Sequence, residues 1–340
     1  MRIGILTGGG DCPGLNAAIR AVVKRGTSEH GCSIVGFHNG WQGVIDGDAV
    51  PLTRDDVSGI LVHGGTMLGT ARCHPHKVEG GLEAVAQTVE DEKIDALICI
   101  GGDGTLRAAS KVQAKAGVPV IGIPKTIDND VVGTDSSIGF DTAVTIATEA
   151  IDRLHSTAES HNRVMVVELM GRHCGWISVT AGIAGGADII LAPESPFDIE
   201  VIAKKLRHRH RYKNFSIVAV AEGAVPAEGS AWEADDTLDA KGNPIAGQIG
   251  SQVTRAIERL TGFEARLTTL GYVQRGGVPT ATDRLLATRF GIAAIDAAVA
   301  GNYGTFTALR GEKVEMLPFE TMAGKTKYVP EELLQAAWGL

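Results

Sequence analysis

The chain has 340 residues, of which 44% are hydrophobic and 21% charged, and its formal net charge is −8. That composition is typical of a globular protein with a large core, and the length predicts about two domains. The acidic balance argues against non-specific binding to nucleic acid, which needs a basic surface, and no apolar stretch reaches the roughly 18 residues that cross a membrane.

Glycine and cysteine are the informative residue types in the composition. The 44 glycines are nearly twice the usual share of about 7%, and their pairs and triplets mostly follow strand-like runs, as in proteins that lay backbone against a ligand. The five cysteines form no C-x-x-C pair, which predicts reduced thiols in a cytoplasmic enzyme. The opening segment 2–7 predicts a strand rather than a signal peptide.

Apolar segments alternate with amphipathic ones along the whole chain. Strands are predicted at 2–7, 33–38, 96–101, 118–123, 163–169, 188–192, 215–221 and 266–270. Helices are predicted at 15–28, 82–92, 142–157, 199–211, 247–260 and 281–298. This alternation predicts an α/β protein with two Rossmann-like, doubly wound lobes, mostly parallel sheets and an active-site cleft between the lobes. The loop-like segment 223–243 is long for a compact domain and predicts a flap or an insertion.

Three glycine-rich turns in the first half carry groups suited to phosphate. Residues 8–14 (GGGDCPG) end the first strand, residues 64–72 bring Arg72 after more glycine, and residues 101–105 (GGDGT) join a strand to a helix. Glycine lets backbone approach a phosphate, a helix N-terminus supplies N–H groups, and Asp103 is a natural Mg²⁺ ligand. None of the turns is a Walker A loop or a dinucleotide fingerprint. Each turn taken alone is also compatible with an ordinary glycine turn.

The segment 124–131 (PKTIDNDV) places Asp128 and Asp130 directly after the predicted strand 118–123. Side chains two apart on extended backbone point the same way, here at the carboxyl end of a strand, where open α/β sheets bind ligands. One carboxylate could take a proton while the other holds a metal or orients its neighbour. The alternative is an Asx-rich turn that caps a helix. Together with the three glycine turns, the pair favours phosphoryl transfer.

The second half supplies groups for a phosphorylated acceptor. Residues 170–172 (MGR) end one predicted strand, Glu222 ends another, and residues 271–277 (GYVQRGG) follow a third. Arginine suits phosphate because its planar guanidinium binds two oxygens at once. Taken alone, Arg163 and Arg266 are also compatible with surface ion pairs, and the short motif at Cys73 (CHPH) has no second ligand pair at zinc-site spacing.

These motifs resemble those of the 6-phosphofructokinases, which phosphorylate fructose 6-phosphate at its C1 hydroxyl. Five segments carry the resemblance in family order, at 6–11, 101–105, 126–130, 170–172 and 273–277. The GGDGT piece is shared with NAD kinases and diacylglycerol kinases, but TIDND together with QRGG is specific. The resemblance implies a nucleotide-binding lobe at 1–139 with 275–323, and a sugar-phosphate-binding lobe at 140–274 with 324–340.

The resemblance also implies a role for each matching residue. Asp128 would be the general base, with Thr126 and Asp130 beside it, and Asp103 would bind Mg²⁺. The ATP phosphates would be lined by Gly10, Arg72, Cys73, Gly102, Asp103, Gly104 and Thr105. Charge on the transferred group would be stabilised by Arg72 and Arg172. The sugar would be held by Thr126, Asp128, Met170, Gly171, Arg172, Glu222 and Tyr272, and its 6-phosphate by Arg163, Arg266 and Arg275.

In the family, the residues equivalent to Arg163 and Arg266 reach in from a neighbouring subunit, which implies a homo-oligomer, usually a tetramer. A basic effector site between subunits is a further family feature, and the cations at 20, 54, 211 and 213 match it. An allosteric enzyme is therefore expected, without an assigned effector.

The phosphoryl donor depends on residues that point in different directions. Lys125 and Tyr272 resemble the diphosphate-dependent branch, whereas that branch usually has Asp in place of Gly104. We predict ATP, because an Asp at 104 would place a like charge beside the inner phosphate of a nucleotide. The mixed pattern resembles a mixed-substrate bacterial group. The alternatives are a diphosphate-dependent, reversible transferase and a non-catalytic sugar-phosphate or nucleotide sensor, which would have a broken acidic set.

Overall fold

The structure, a computed structural model, describes residues 1–230 and 248–338. Its strands are β1 Arg2–Gly8, β2 Ser33–Phe37, β3 Ala49–Leu52, β4 Ala96–Gly101, β5 Val120–Pro124, β6 Val164–Leu169, β7 Ile189–Leu191, β8 Ser216–Ala221, β9 Ala265–Thr269, β10 Thr305–Arg310 and β11 Lys313–Pro318. Its helices are α1 Leu15–Glu29, α2 Trp41–Asp46, α3 Gly81–Asp91, α4 Asp103–Ala116, α5 Phe140–His161, α6 Trp176–Ala184, α7 Ile199–Arg209, α8 Gln248–Thr261, α9 Ala281–Val299 and α10 Glu331–Trp338.

The chain forms two compact units. The first comprises Met1–Thr142 with Arg275–Thr326, and the second comprises Ala143–Gln274 with Lys327–Leu340. Within the described ranges, no helix combines the length and the apolar character needed to cross a bilayer. Residues 231–247, which include most of the predicted 223–243 insertion, lie outside the described part of the chain.

The first unit is built on a seven-stranded sheet in the order β11-β10-β5-β4-β1-β2-β3. Its inner strands pair in parallel, and the β2–β3 and β10–β11 pairs are antiparallel. All six residues of β4 are buried, as expected for a central strand covered on both faces. The register aligns Gly8 with Gly101 and Gly101 with Pro124. The turns after β1, β4 and β5 therefore leave the sheet side by side.

The second unit is built on a parallel four-stranded sheet in the order β7-β8-β6-β9. Strands β6 and β8 are fully buried, and their last residues, Leu169 and Ala221, are register partners. Apolar side chains of α7 and α8, among them Ile202 and Ile257, complete the core beside them. The residues that follow β6 and β8 are thereby brought together at the carboxyl edge.

The predicted α/β class with mostly parallel sheets is confirmed. The sequence did not predict β3, β10 or β11. Strand β3 contains Pro51, and β11 alternates Lys313 and Glu315 with half-buried residues. Both are edge strands, where proline and charged residues are tolerated because one side has no hydrogen-bonding partner.

Candidate active site

A polar cavity of about 320 Å³ lies in the first unit, where the turns after β1, β4 and β5 meet. It is lined by Gly9, Gly10, Ala71, Arg72, Cys73, His74, Gly102, Asp103, Gly104, Thr105, Lys125, Thr126, Asp128, Asp130 and Arg275. The structure thus brings together the residues predicted to bind the donor phosphates, the predicted base and the predicted metal ligand.

Thr105 explains why two strands must end in glycine. An added Cβ at Gly101 would lie 2.3 Å from the Cβ of Thr105, and one at Gly8 would lie 2.7 Å from its Oγ1. Both distances are shorter than any real contact, so the Thr105 side chain fills the space that two side chains would need. The close packing sets the start of α4 against the end of β1. The first N–H groups of α4 lack partners within the helix, and their positive dipole end favours an anion.

Lys125 is a buried cation that shapes the turn after β1. Its ammonium group donates a hydrogen bond to the carbonyl oxygen of Gly8 at 3.0 Å and a second, short one to that of Gly10. Burial lowers the pKa of Lys125, and the nearby Arg275 acts in the same direction. The two hydrogen bonds hold the glycine turn in place. Any effect of Lys125 on donor choice would act through that turn or through the charge of the ammonium group.

The loop after β5 holds its carboxylates on a rigid frame. The hydroxyl of Thr126 accepts a hydrogen bond from the backbone N–H of Asp128 at 3.1 Å. Asn129 is buried with φ of 50°, a conformation that Asn tolerates better than most residues, and its Oδ1 accepts from the N–H of Ser137 at 3.2 Å. Ser137 Oγ in turn donates to the carbonyl oxygen of Thr126 at 2.7 Å. These bonds tie the two sides of the loop together around Asp128.

Asp130 has a strongly perturbed carboxylate in the cavity. Burial, together with the neighbouring charges of Asp128 and Asp103, raises its pKa to about 6. Its Oδ1 is buried and has no hydrogen-bond partner among the described residues. A buried carboxylate oxygen without a donor is stabilised by a cation, so this position suits a site that receives Mg²⁺ with its ligand.

Asp103 stands in the first turn of α4, and its Oδ1 accepts from Nε of Arg107 at 2.7 Å. Among the described residues no group of three His, Cys, Asp or Glu side chains is placed to hold a metal ion. Mg²⁺ commonly binds one or two carboxylates together with substrate phosphates and keeps several waters. Asp103 with the nearby Asp130 therefore fits an ion that arrives with a nucleotide better than a permanently bound one.

Two arginines reach the cavity from different segments. Arg72 is exposed at the rim, and its segment is tied to the turn after β1 because Thr70 Oγ1 donates to the carbonyl oxygen of Gly9 at 2.6 Å. Arg275 donates from Nη1 to the carbonyl oxygen of Asp11 at 3.2 Å, and an added Cβ at Gly10 would lie 2.7 Å from the same nitrogen. Arg275, assigned by resemblance to the sugar 6-phosphate, thus lies beside the turn after β1, within the first unit.

Gly104 faces His74, a residue for which the sequence predicted no role. A Cβ at position 104 would lie 3.1 Å from Cε1 of His74, which is tighter than most real contacts. Burial lowers the pKa of His74, and Lys77 and Lys111 act in the same direction, so the imidazole is neutral at pH 7. His74 follows Cys73 in the short Cys-His motif. That motif is a weak signal for metal chemistry, but its position directly after Arg72 is a signal for the donor pocket.

In the second unit, the predicted sugar-binding residues cluster at the ends of β6 and β8. The N–H of Glu222 donates to the carbonyl oxygen of Leu169 at 2.8 Å, and the N–H of Gly223 donates to that of Gly171 at 3.1 Å. Gly171 has φ of 140°, which favours glycine. The N–H of Met170 donates to Oε1 of the buried Gln274 at 3.3 Å. The fixed turn carries Arg172, which is exposed.

Tyr272 belongs to a short 3-10 helix, Gly271–Arg275, and is 79% exposed. Glu222 is half-buried, and no hydrogen bond or ion pair to its carboxylate is formed within the described part of the chain. Both side chains are therefore available to a polar ligand.

Arg163 and Arg266 lie at the opposite end of the same sheet. Arg163 Nη2 is 2.8 Å from Oε1 of Glu264, and Arg266 pairs with Glu264 and with Glu258, the latter at 3.3 Å. Arg163 precedes β6 whereas Met170 follows it, so the strand separates them by about 20 Å at its usual rise per residue. Within one chain these two arginines and the turn at 170–172 do not form one site.

Three comparisons with known proteins place this geometry in context. The family model for phosphofructokinase matches residues 2–298. A pyrophosphate–fructose 6-phosphate 1-phosphotransferase of Amycolatopsis methanolica is 51% identical over 337 residues, covering 99% of this chain and 98% of the relative. An ATP-dependent 6-phosphofructokinase of Mycobacterium tuberculosis is 52% identical over 333 residues, covering 97% of each.

The solved T-state phosphofructokinase of Pichia pastoris superposes with a TM-score of 0.84 at 35% identity. The match covers 94% of this chain, which spans 35% of the Pichia chain.

Proposed function

The chain belongs to the phosphofructokinase family, and we propose that it transfers the γ-phosphoryl group of MgATP to the C1 hydroxyl of fructose 6-phosphate, giving fructose 1,6-bisphosphate and ADP. One observation supports this proposal above others: Asp128 lies in the same cavity as the glycine turns at Gly10 and Gly102. A base and a phosphate cradle that share one cavity are what a phosphoryl transfer to an alcohol requires.

In this mechanism Asp128 accepts the proton of the C1 hydroxyl while the oxygen of that hydroxyl attacks the γ-phosphorus. The bond from that phosphorus to the bridging oxygen breaks, and ADP leaves. Thr126 positions Asp128 through the hydrogen bond that its hydroxyl accepts from the Asp128 N–H. Arg72 and Arg172 stabilise the charge that develops on the transferred group.

The donor is held mainly by backbone. The phosphates bind N–H groups of the turn at Gly10 and of the start of α4, with Cys73, Gly102, Gly104 and Thr105 lining the cavity. Asp103, with Asp130, would hold Mg²⁺. When bound, this ion neutralises phosphate charge and polarises the transferred group.

The acceptor is held by residues of the second unit, by Arg275 and by a neighbouring subunit. Met170, Gly171, Glu222 and Tyr272 contact the sugar, and Arg275 its 6-phosphate. Because β6 separates Arg163 from Met170, Arg163 and Arg266 of one subunit serve the site of another. The functional form is then a homo-oligomer, proposed as a tetramer, in the cytoplasm, where the five cysteines remain unpaired thiols.

Gly104 is the reason for preferring ATP. It leaves the space beside His74 open and uncharged, whereas an aspartate would set a negative charge against the inner phosphate of a nucleotide. The second candidate donor is diphosphate, which the Amycolatopsis relative uses by name. Lys125 is compatible with either donor, since its ammonium group holds the glycine turn through two carbonyl oxygens.

A parallel assay with the two donors tests this proposal. Purified protein is given fructose 6-phosphate and Mg²⁺ with either ATP or diphosphate, and fructose 1,6-bisphosphate is measured. We expect a higher kcat/KM with ATP. A higher value with diphosphate would establish diphosphate as the donor. No product with either donor would indicate a protein that binds its ligands without catalysing the transfer.

A further inference from the structure

A buried carboxylate, that of Asp283 in the first turn of α9, is not among the residues that line the cavity. Its side chain is fully buried, and Oδ1 accepts a hydrogen bond from the N–H of Gly139 at 2.9 Å. Oδ2 accepts from the N–H and the hydroxyl of Thr142 at 2.8 and 2.5 Å. Three donors compensate the loss of hydration, although burial still raises the pKa of Asp283.

These bonds join the starts of two helices. Gly139 and Thr142 stand at the start of α5, where backbone N–H groups lack partners within the helix. Thr280 caps α9 by accepting from the N–H of Asp283 at 3.2 Å, and its hydroxyl donates to Asp141 at 2.6 Å. The N–H of Thr280 donates to the hydroxyl of Thr142 at 3.1 Å. Each helix therefore caps the other, and the Asp283 carboxylate is placed between two positive dipole ends.

Gly139, which Asp283 holds, is the last residue of the carboxylate loop 126–139, the loop that carries Asp128 and Asp130. The N–H of Thr126 donates to the carbonyl oxygen of Ile138 at 3.2 Å, so the loop entry is bonded to the residue before Gly139. Asp128 lies two residues beyond this entry. An anchor on Gly139 therefore limits how far the whole loop can shift.

The turn after β1 rests on the same anchor. Cys12, fully buried, donates from Sγ to the carbonyl oxygen of Ile138 at 3.4 Å. An added Cβ at Gly14 would lie 2.5 Å from Cγ2 of Ile138 and 3.7 Å from Cβ of Asp283. Arg275 precedes Thr280 by only five residues. The segments that carry the base, the glycine turn and Arg275 thus converge on one carboxylate.

We propose that Asp283 is a positioning residue for the transfer: through Gly139 and Thr142 it fixes the loop that carries Asp128 relative to the phosphate turn after β1. This inference rests on the proposed function. A displacement of about 1 Å in reacting groups can cost roughly 100-fold in rate. A carboxylate that only caps helices would lower stability and leave kcat of the folded enzyme unchanged.

The test compares Asp283→Asn and Thr142→Val with two controls. Thr142→Val keeps the shape and removes one of the three donors, and Thr142→Ser restores the hydroxyl. Thr254→Val removes another buried hydroxyl, which bonds to the carbonyl oxygen of Gly250 at 2.7 Å within α8. We expect kcat to fall about 10-fold in Thr142→Val and about 100-fold in Asp283→Asn, with KM for ATP changed by less than about threefold. Thr142→Ser and Thr254→Val should keep kcat within about twofold.

Folded Asp283→Asn and Thr142→Val proteins with wild-type kcat would overturn the inference. Should Asp283→Asn not fold, the comparison of Thr142→Val with Thr142→Ser decides alone. If the wild type turns over with neither ATP nor diphosphate, the proposed function fails, and amide hydrogen exchange then tests the anchor. Faster exchange across 126–142 in Thr142→Val than in Thr254→Val supports it, and equal exchange contradicts it.

Discussion

The ammonium nitrogen of Lys125 lies 3.0 Å from the carbonyl oxygen of Gly8 and also bonds to that of Gly10. A residue directly after β5 thereby fixes the turn directly after β1, across the intervening strand β4. The phosphate turn is thus held by a buried cation, and its shape does not depend on glycine alone.

Replacing Lys125 by Met should destabilise the protein and weaken donor binding. The buried carbonyl oxygen of Gly8 and the half-buried one of Gly10 would lose their donor, which costs about 1–3 kcal/mol of unfolding free energy, and the turn at Gly10 would lose its support. We expect a lower urea midpoint and a raised KM for both ATP and diphosphate. Lys313→Met, at an exposed lysine of β11, is the matched control and should change neither. A raised KM for diphosphate alone would instead make Lys125 a direct determinant of donor choice.

Replacing Gly104 by Asp should select against ATP. A carboxylate about 4 Å from a phosphate costs up to about 4 kcal/mol at an effective dielectric constant of 20, so we expect kcat/KM for ATP to fall about 10- to 1000-fold. Gly104→Ala introduces only the contact with His74 and separates crowding from charge. Equal losses in the Ala and Asp variants, measured with ATP, would show that crowding and not charge decides the donor.

Replacing Asp130 by Asn should stabilise the protein at neutral pH in the absence of Mg²⁺. The pKa of Asp130 is about 6 in the folded protein, against about 3.9 for an unfolded aspartate. At a pH between these two values, the folded state therefore keeps a proton that the unfolded state has already released. Wild-type stability is therefore lost as pH rises from 4 to 6, and the cost persists above 6.

The Asn variant escapes this cost. We expect it to exceed the wild type by about 1–3 kcal/mol at pH 7.5, with the advantage shrinking toward pH 4. Urea unfolding with a chelator at the two pH values measures the difference. A variant that is less stable than the wild type at pH 7.5 would show that the Asp130 carboxylate is compensated in the folded protein.

The cavity could be predicted from the sequence because each of its parts lies within a few consecutive residues. Segment 96–101 is apolar throughout and is followed at once by Gly102 and Asp103, and Asp128 follows another apolar strand in the same way. Each strand end is visible in a few consecutive residues, and parallel pairing then brings the ends together.

The anchor at Asp283 could not be predicted in this manner. Its partners Gly139 and Thr142 lie more than 140 residues earlier, and an aspartate in a first helical turn is common without any such role. The sequence indicates that Lys125 bears on donor choice, but nothing local indicates that its ammonium group is turned onto Gly8 and Gly10. Such contacts depend on the register between strands that the sequence does not display.

The central claim, that Asp128 removes the proton of the sugar hydroxyl beside a bound nucleotide, is tested most directly by single-turnover kinetics of Asp128→Asn. With saturating MgATP and fructose 6-phosphate, we predict that phosphoryl transfer slows by about 10²- to 10⁴-fold. The dissociation constant for ATP, measured in parallel, should stay within about threefold of the wild type. Transfer at the wild-type rate by a folded Asp128→Asn protein would contradict the account.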